Sequence, residues 1–218
     1  MVNKISSWNI GKVKITRIVE MERTGPMFVV PDAIPENIIK MPWLQPHFSD
    51  EKGNTIVSVH ALIIETPEKL IIVDTCLGND KERHIPAWNK LQTKFLEDLK
   101  KSGYKTEDID TVLCTHLHTD HVGWNTILID DKWEPTFKNA DYLFGREEWN
   151  YTEKQIKIPA YAEFINDSIL PIIESGLVKF VELDEKICNE ITLEPTIGHT
   201  PGHVSIRIES EGEKASIT

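Results

Sequence analysis

Cysteine is scarce and unpaired. Only Cys76, Cys114 and Cys188 occur among 218 residues, an odd number without C-x-x-C spacing, and their neighbours include the apolar Leu77, Leu113 and Ile187. That excludes a disulfide-stapled scaffold and predicts three buried free thiols. Long hydrophobic runs are also missing. No stretch approaches the roughly 18 to 20 apolar residues of a membrane-spanning helix, and Met1 to Ile10 holds one Lys but no apolar block of the signal-peptide kind. A soluble, cytoplasmic protein with no membrane partner is expected. Clustered positive charge is absent as well: 24 Lys and Arg stand against 35 Asp and Glu, a net charge of −11, so no face suits a nucleic-acid backbone. There is no internal repeat, no low-complexity tract and no G-x-S-x-G elbow for a nucleophilic serine.

What remains is ordinary globular composition, 40% hydrophobic and 8% aromatic, enough for the core of one domain over residues 1–218. Lys12 to Glu20, Thr55 to Ile64 and Leu70 to Val73 are rich in Val and Ile and predict strands, the last two forming a hairpin across Thr66-Pro67-Glu68-Lys69. Trp88, Leu91, Phe95 and Leu99 recur at helical spacing with Gly103 as C-cap. Asp110 to Cys114 returns to strand character, so Leu70 to Cys114 reads as strand, helix, strand. Ala160 to Ser175 predicts a helix that Pro171 should end or kink. Leu177 to Val181, Glu190 to Pro195, Val204 to Glu209 and Lys214 to Thr218 predict further strands. Between Pro31 and Phe48, four prolines accompany Met41, Trp43, Leu44 and Phe48. Such a loop either forms a hydrophobic lid or dimer contact, or buries its aromatics on the core.

Chemistry concentrates in two places. Thr115-His116-Leu117-His118-Thr119-Asp120-His121-Val122-Gly123 follows a strand and offers four metal-capable side chains within six residues. In an extended stretch His116, His118 and Asp120 share one side, and a turn can swing His121 toward a neighbouring position. Imidazole and carboxylate suit zinc and its neighbours in the divalent series; the alternative is a polar surface loop. Gly198-His199-Thr200-Pro201-Gly202-His203 also follows a strand and supplies a third imidazole, His199. Three protein nitrogens with a fourth position left to water is the open arrangement of catalytic zinc. His203 is read as a neighbour that stabilises the turn, with ligation as the alternative. His47, His60 and His84 have no metal spacing and read as surface or satisfied core residues.

Asp74 at a strand end, the His116-x-His118-x-Asp120-His121 loop and the Gly-His199-Thr-Pro-Gly-His203 patch resemble, in that order, the first three signature motifs of the metallo-β-lactamase superfamily. The resemblance implies an α/β fold, an αββα sandwich with two metals in a cleft at one edge of its sheets. It makes His116, His118 and His199 ligands of the first metal and Asp120 and His121 ligands of the second. Asp74 and His203 become supports of the metal loops; for Asp74 the alternative is a strand-end turn residue. The resemblance extends to Thr218, and the family's bridging aspartate and last histidine have no counterpart here, so the implied sandwich lacks its C-terminal part and the second metal has only two ligands.

The implied activity is hydrolysis by a metal-bound hydroxide, with zinc as the expected ion, iron or manganese as substitutes, and Asp120 as the catalytic proton shuttle. The continuation His121-Val122-Gly123-Trp124-Asn125 and the apolar N-terminal loop resemble the acyl-homoserine lactonase and methyl-parathion-hydrolase-like branch. A lactone or ester is therefore the expected small-molecule substrate, with Trp124, Trp43 and Phe48 as an apolar wall for an acyl chain. Trp124 packed beneath its loop is the other reading. Alternatives are β-lactamase or phosphotriesterase activity on the same fold, or a non-hydrolytic metal or redox protein.

Overall fold

The computed structural model describes residues 5–26 and 30–218. The stretch read for a leader thus lies partly outside the described residues, at residues 1–4. In chain order come strands β1 (Ile5–Ile10) and β2 (Val13–Gly25), a short helix α1 (Pro35–Ile38), β3 (Thr55–Glu65), β4 (Leu70–Val73), helix α2 (Phe95–Lys101) and β5 (Thr111–Leu113). A four-residue helix α3 (Thr119–Val122), the hairpin β6 (Thr126–Ile129) and β7 (Lys132–Pro135), β8 (Asp141–Gly145) and helix α4 (Arg146–Thr152) follow. Helices α5 (Pro159–Phe164) and α6 (Leu170–Glu174) flank a π-helical turn at Ile165–Ile169, and the chain continues through β9 (Val178–Val181), β10 (Ile191–Pro195), β11 (Val204–Ser210) and β12 (Glu213–Ile217).

Seven strands form one mixed sheet in the order β1-β2-β3-β4-β5-β8-β9, and β10-β11-β12 form a second. The predicted hairpin is present, with Leu62 opposite Val73 and Glu65 opposite Leu70. So is the crossover: β4 and β5 run parallel, Ile71 beside Thr111 and Val73 beside Leu113. Strand alternation divides the core between the two faces of the large sheet. Ile63, Ile72, Val112, Tyr142 and Phe144 point to one face and pack with Phe95, Leu99, Phe164, Ile169 and Ile172 of the helices. Their neighbours Ile64, Ile71, Val73, Leu113 and Leu143 point to the other and meet Ile191, Leu193, Val204, Ile206 and Ile208 of the small sheet. A strand buried on both faces must be apolar at every position, which is why Leu70 to Val73 is an unbroken hydrophobic run.

Two predicted helices differ in detail. Trp88 ends a 3-10 turn (Pro86–Trp88) and Leu91 lies in irregular chain, so the helix comprises only the second half of the expected stretch. Lys90 takes a left-handed φ of 51° and donates its N–H to the Lys81 carbonyl at 2.7 Å, a tertiary bond that competes with helical pairing. The C-cap is as expected: at φ 94° Gly103 donates to Lys100, and Tyr104 donates to Leu99, the two closing bonds of a Schellman motif. Pro171, expected to end or kink its helix, sits in the first turn of α6, where its missing N–H is tolerated after the wider π turn that interrupts the helix just before it. The Pro31 to Phe48 loop is ordered into α1 and a 3-10 turn, but Trp43 and Phe48 are 72% and 58% exposed, so it does not bury its aromatics on the core.

Candidate metal centre

The carboxyl ends of the parallel strands β4, β5 and β8 lie side by side, so the segments after them, 74–78, 115–125 and 146–152, meet there. Asp74, immediately after β4, holds a left-handed φ of 54°. Its carboxylate accepts the Thr115 N–H at 2.8 Å on Oδ1, and on Oδ2 the Thr115 hydroxyl and His121 Nδ1, each at 2.8 Å. With these three bonds Asp74 braces the loop from Thr115 to His121.

That brace also fixes a tautomer. Because the Thr115 hydroxyl gives its proton to Asp74, its oxygen is left to accept from His116 Nδ1 at 3.1 Å. Nε2 of His116 then carries a bare lone pair. His116 is 3% exposed, and its buried Nε2 has no hydrogen-bond partner among the described residues. Burial, then the charges of His121 and His118, hold His116 far below the usual imidazole range, so it stays neutral. Around it gather the other two predicted nitrogens: one ligand atom from each of His116, His118 and His199 lies within 4.8 Å of the others. His118 Nδ1 and His199 Nε2 are 3.0 Å apart, a separation that two bare lone pairs tolerate only with a proton or cation between them. An orphaned buried nitrogen in an all-imidazole set fits a borderline divalent ion.

Asp120 is on α3, not in an extended stretch as expected, because His118 serves as the N-cap and the chain turns helical after it; the turn expected at His121 is part of the same helix. Asp120 and His121 form a pair beside the three-nitrogen group: His121 Nε2 is 3.6 Å from Asp120 Oδ2, and the His121 ring centroid is 4.0 Å from that of His116. Burial works against charging His121, but the charge and hydrogen bond of Asp74, with Asp120, outweigh it and raise the ring to about 9. Ligation by His121 therefore displaces a proton. His203 bonds Thr196 Oγ through Nδ1 at 2.8 Å, and its ring centroid is 5.0 Å from that of His116.

Of its two readings, Trp124 fits the one packed beneath its loop and not the substrate wall. It is 3% exposed, stacks on Phe95 with centroids 5.8 Å apart, and donates Nε1–H to Glu20 at 2.6 Å. Buried Glu20 also accepts the N–H groups of Leu77 and Gly78 at 2.7 and 3.2 Å, so it ties the two crossing loops together. Where they cross, Gly123 donates to Cys76 and Trp124 to Thr75, both at 2.7 Å, and a Cβ on Gly123 would lie 1.9 Å from the Leu77 carbonyl. Gly123→Ala is expected to destabilise the fold by about 3 kcal/mol, the upper range for overpacking; urea denaturation checks this.

Trp43 and Phe48 do face a cavity. With Leu44, Ile38 and His47 they line a groove of about 520 Å³. Val57, Ser58 and His60 line both this groove and a smaller cavity of about 180 Å³ that contains Asp74, Asp120 and His121. His60, read as a surface or satisfied core residue, thus stands between the apolar groove and the imidazole cluster, its Nδ1 3.1 Å from Ser58 Oγ. Two further residues were unforeseen. Arg83 reaches the metal loop, donating Nε–H to Thr119 Oγ at 2.8 Å, and Glu148 accepts the Leu117 N–H at 3.0 Å. Neither has a local sequence signal.

A family profile described as the metallo-beta-lactamase superfamily matches residues 54–218. An N-acyl homoserine lactonase of Bacillus cereus is 28% identical over 172 residues, covering 73% of this chain and 62% of that protein. Another, from Bacillus sp, is 28% identical over 165 residues, 70% of this chain and 59% of that protein. The chain thus spans about three fifths of the length of the curated lactonases it matches. Among solved structures, hydrolase AbOPH of the beta lactamase superfamily superposes with a TM-score of 0.76 at 24% identity, covering all of this chain and 74% of that one. AidC, a dizinc quorum-quenching lactonase bound to a product, N-hexnoyl-L-homoserine, gives 0.72 at 21% identity, covering 97% and 72%. At these identities the superpositions establish the fold.

Proposed function

The chain belongs to the metallo-beta-lactamase superfamily, and we propose that it is a zinc-dependent hydrolase that opens a lactone or a related ester. The observation that carries this reading is the buried His116 Nε2, without a partner among the described residues, at the centre of three converging imidazoles. His116, His118 and His199 would hold one ion, with Asp120 and His121 as the ligands available to a second. Zinc bound there would supply Lewis acidity, polarising a carbonyl and bringing the pKa of a water toward neutrality.

The chain's own residues supply the rest. Asp74 and Thr115 keep His116 in its Nε2-bare tautomer and hold His121 by Nδ1. The carboxylate of Asp120, partly open to the cleft, accepts the proton of the attacking water and returns it to the leaving alkoxide oxygen. Trp43 and Phe48 cover an acyl chain in the groove that adjoins Asp120 through His60, which removes apolar surface of both partners from water. The acyl-homoserine lactonases among the relatives support the lactone as substrate.

The test is a panel of substrates given to zinc-loaded protein: N-acyl homoserine lactones of rising chain length, an aryl ester, a phosphotriester and a β-lactam, with acid release followed at constant pH. Lactone opening whose kcat/KM rises with chain length is expected, and turnover confined to the phosphotriester or β-lactam would overturn the substrate assignment. Asp120→Asn should lower kcat by about 10²- to 10⁴-fold with KM nearly unchanged. An equal loss through KM would refute the proton role.

A further inference from the structure

The two metal-ligand loops come from segments about eighty residues apart, and their register decides whether three nitrogens meet. Their backbones are joined at the root, where Val204 donates its N–H to the Thr115 carbonyl at 3.0 Å. A second junction is made by one side chain. Glu148, on the first turn of α4 and 1% exposed, accepts the Leu117 N–H on Oε1 and the Gly202 N–H on Oε2, each at 3.0 Å. Leu117 lies between His116 and His118, and Gly202 lies between His199 and His203. Each carboxylate oxygen thus holds the midpoint of one loop.

The contact is built to be close. A Cβ on Gly202 would fall 2.3 Å from the Glu148 backbone nitrogen and 2.6 Å from its Cβ, so only glycine lets the second loop reach the carboxylate. Electrostatics points the same way. Among the described residues the partners of this buried carboxylate are two backbone N–H groups and no Lys, Arg or His, and a buried charge offset by dipoles alone is costly. A cation held by the adjoining imidazoles would supply the missing counter-charge.

We propose that Glu148 is a positioning residue that clamps the His116–His118 loop to the His199–His203 loop and so sets the geometry of the three-histidine site. The inference rests on the reading of that site as a metal centre. Glu148→Gln keeps the shape, but the amide accepts only one of the two N–H groups and turns its own NH₂ toward the other, which releases one loop. Zinc affinity, measured against a chromophoric chelator, should weaken about 10- to 100-fold, the range typical when groups that orient the metal ligands are lost. The visible spectrum of the cobalt-substituted variant should change as the His199 nitrogen withdraws. In zinc-loaded wild-type protein, the Leu117 and Gly202 amides should both resist hydrogen exchange.

A folded Glu148→Gln protein that binds zinc within twofold of wild type with an unaltered cobalt spectrum would overturn the clamp and leave the metal reading standing. If wild-type protein took up no zinc, both would fall. Should the variant fail to fold, rapid exchange of either amide in the wild-type protein would by itself refute the proposal.

Discussion

His118→Ala is expected to reduce the zinc bound per chain and to lower hydrolysis by more than about 10²-fold, since removing a ligand exceeds the 10- to 100-fold typical of losing a ligand's hydrogen-bond partner. Its effect on the metal-free fold should be slight. His118 is only partly buried, and its Nδ1 shares an exposed hydrogen bond of 3.0 Å with His199 Nε2, so truncation gives up one solvent-accessible bond rather than opening a core cavity. Burial, then the neighbouring His199, already holds the His118 ring below its ordinary imidazole pKa. Adding zinc should raise the melting temperature of the wild-type protein, because an ion that binds only the native state adds its binding free energy to stability, and that increment should largely vanish in the variant. Unchanged stoichiometry and an unchanged zinc-dependent rise would remove His118 from the ligand set.

Asp167→Ala should have the largest effect on stability. The carboxylate lies in the π-helical turn and grips Arg83 with both oxygens, at 2.6 and 3.0 Å, while Lys81 Nζ stands 3.5 Å from Oδ1. The Lys81 and Arg83 side chains are almost wholly buried, so truncation leaves the Arg83 guanidinium in the interior without its carboxylate, at a cost of about 3 to 5 kcal/mol. For a domain of this size that corresponds to a fall in melting temperature on the order of 10 °C. Hydrolysis should suffer too, because Arg83 would lose the fork that aims its Nε–H at Thr119, one residue before Asp120.

Lys81 adds a pH signature. Burial lowers its pKa from 10.5 to about 7 against the pull of Asp167. Between pH 7 and 10.5 the unfolded chain therefore holds a proton that the folded chain has released, so stability attributable to this group rises with pH across that window. Urea denaturation at pH 7, 8 and 9 should show wild-type protein gaining on Lys81→Met. A constant difference between the two would contradict the buried position of Lys81.

The outcome for individual residues shows what local sequence can carry. His116, His118, Asp120 and His121 lie within six residues after a strand, and their spacing alone suggested a metal loop. The alternation that buries Ile72 on one face of the large sheet and Ile71 and Val73 on the other is equally local, as is the Gly103 cap. Local sequence leaves both readings of Trp124 open, because the carboxylate that captures its indole N–H, Glu20, is 104 residues earlier. The helix expected from Trp88 was shortened by a bond from Lys90 to Lys81 that no periodicity encodes. Glu148 and Asp167 escaped notice because their partners are 31, 54 and 84 residues distant.

By itself, then, the chain's order of residues determined which atoms are fit to hold a metal and which strands must be covered on both faces, since both follow from side-chain chemistry and periods of two or a few residues. Only the tertiary structure decided which nitrogen of His116 is left bare, which carboxylate braces which loop, and that Trp43 faces a groove while Trp124 does not. Those outcomes depend on where a proton or an N–H finds its acceptor, and the acceptors arrive from parts of the chain that meet only when the sheets have packed.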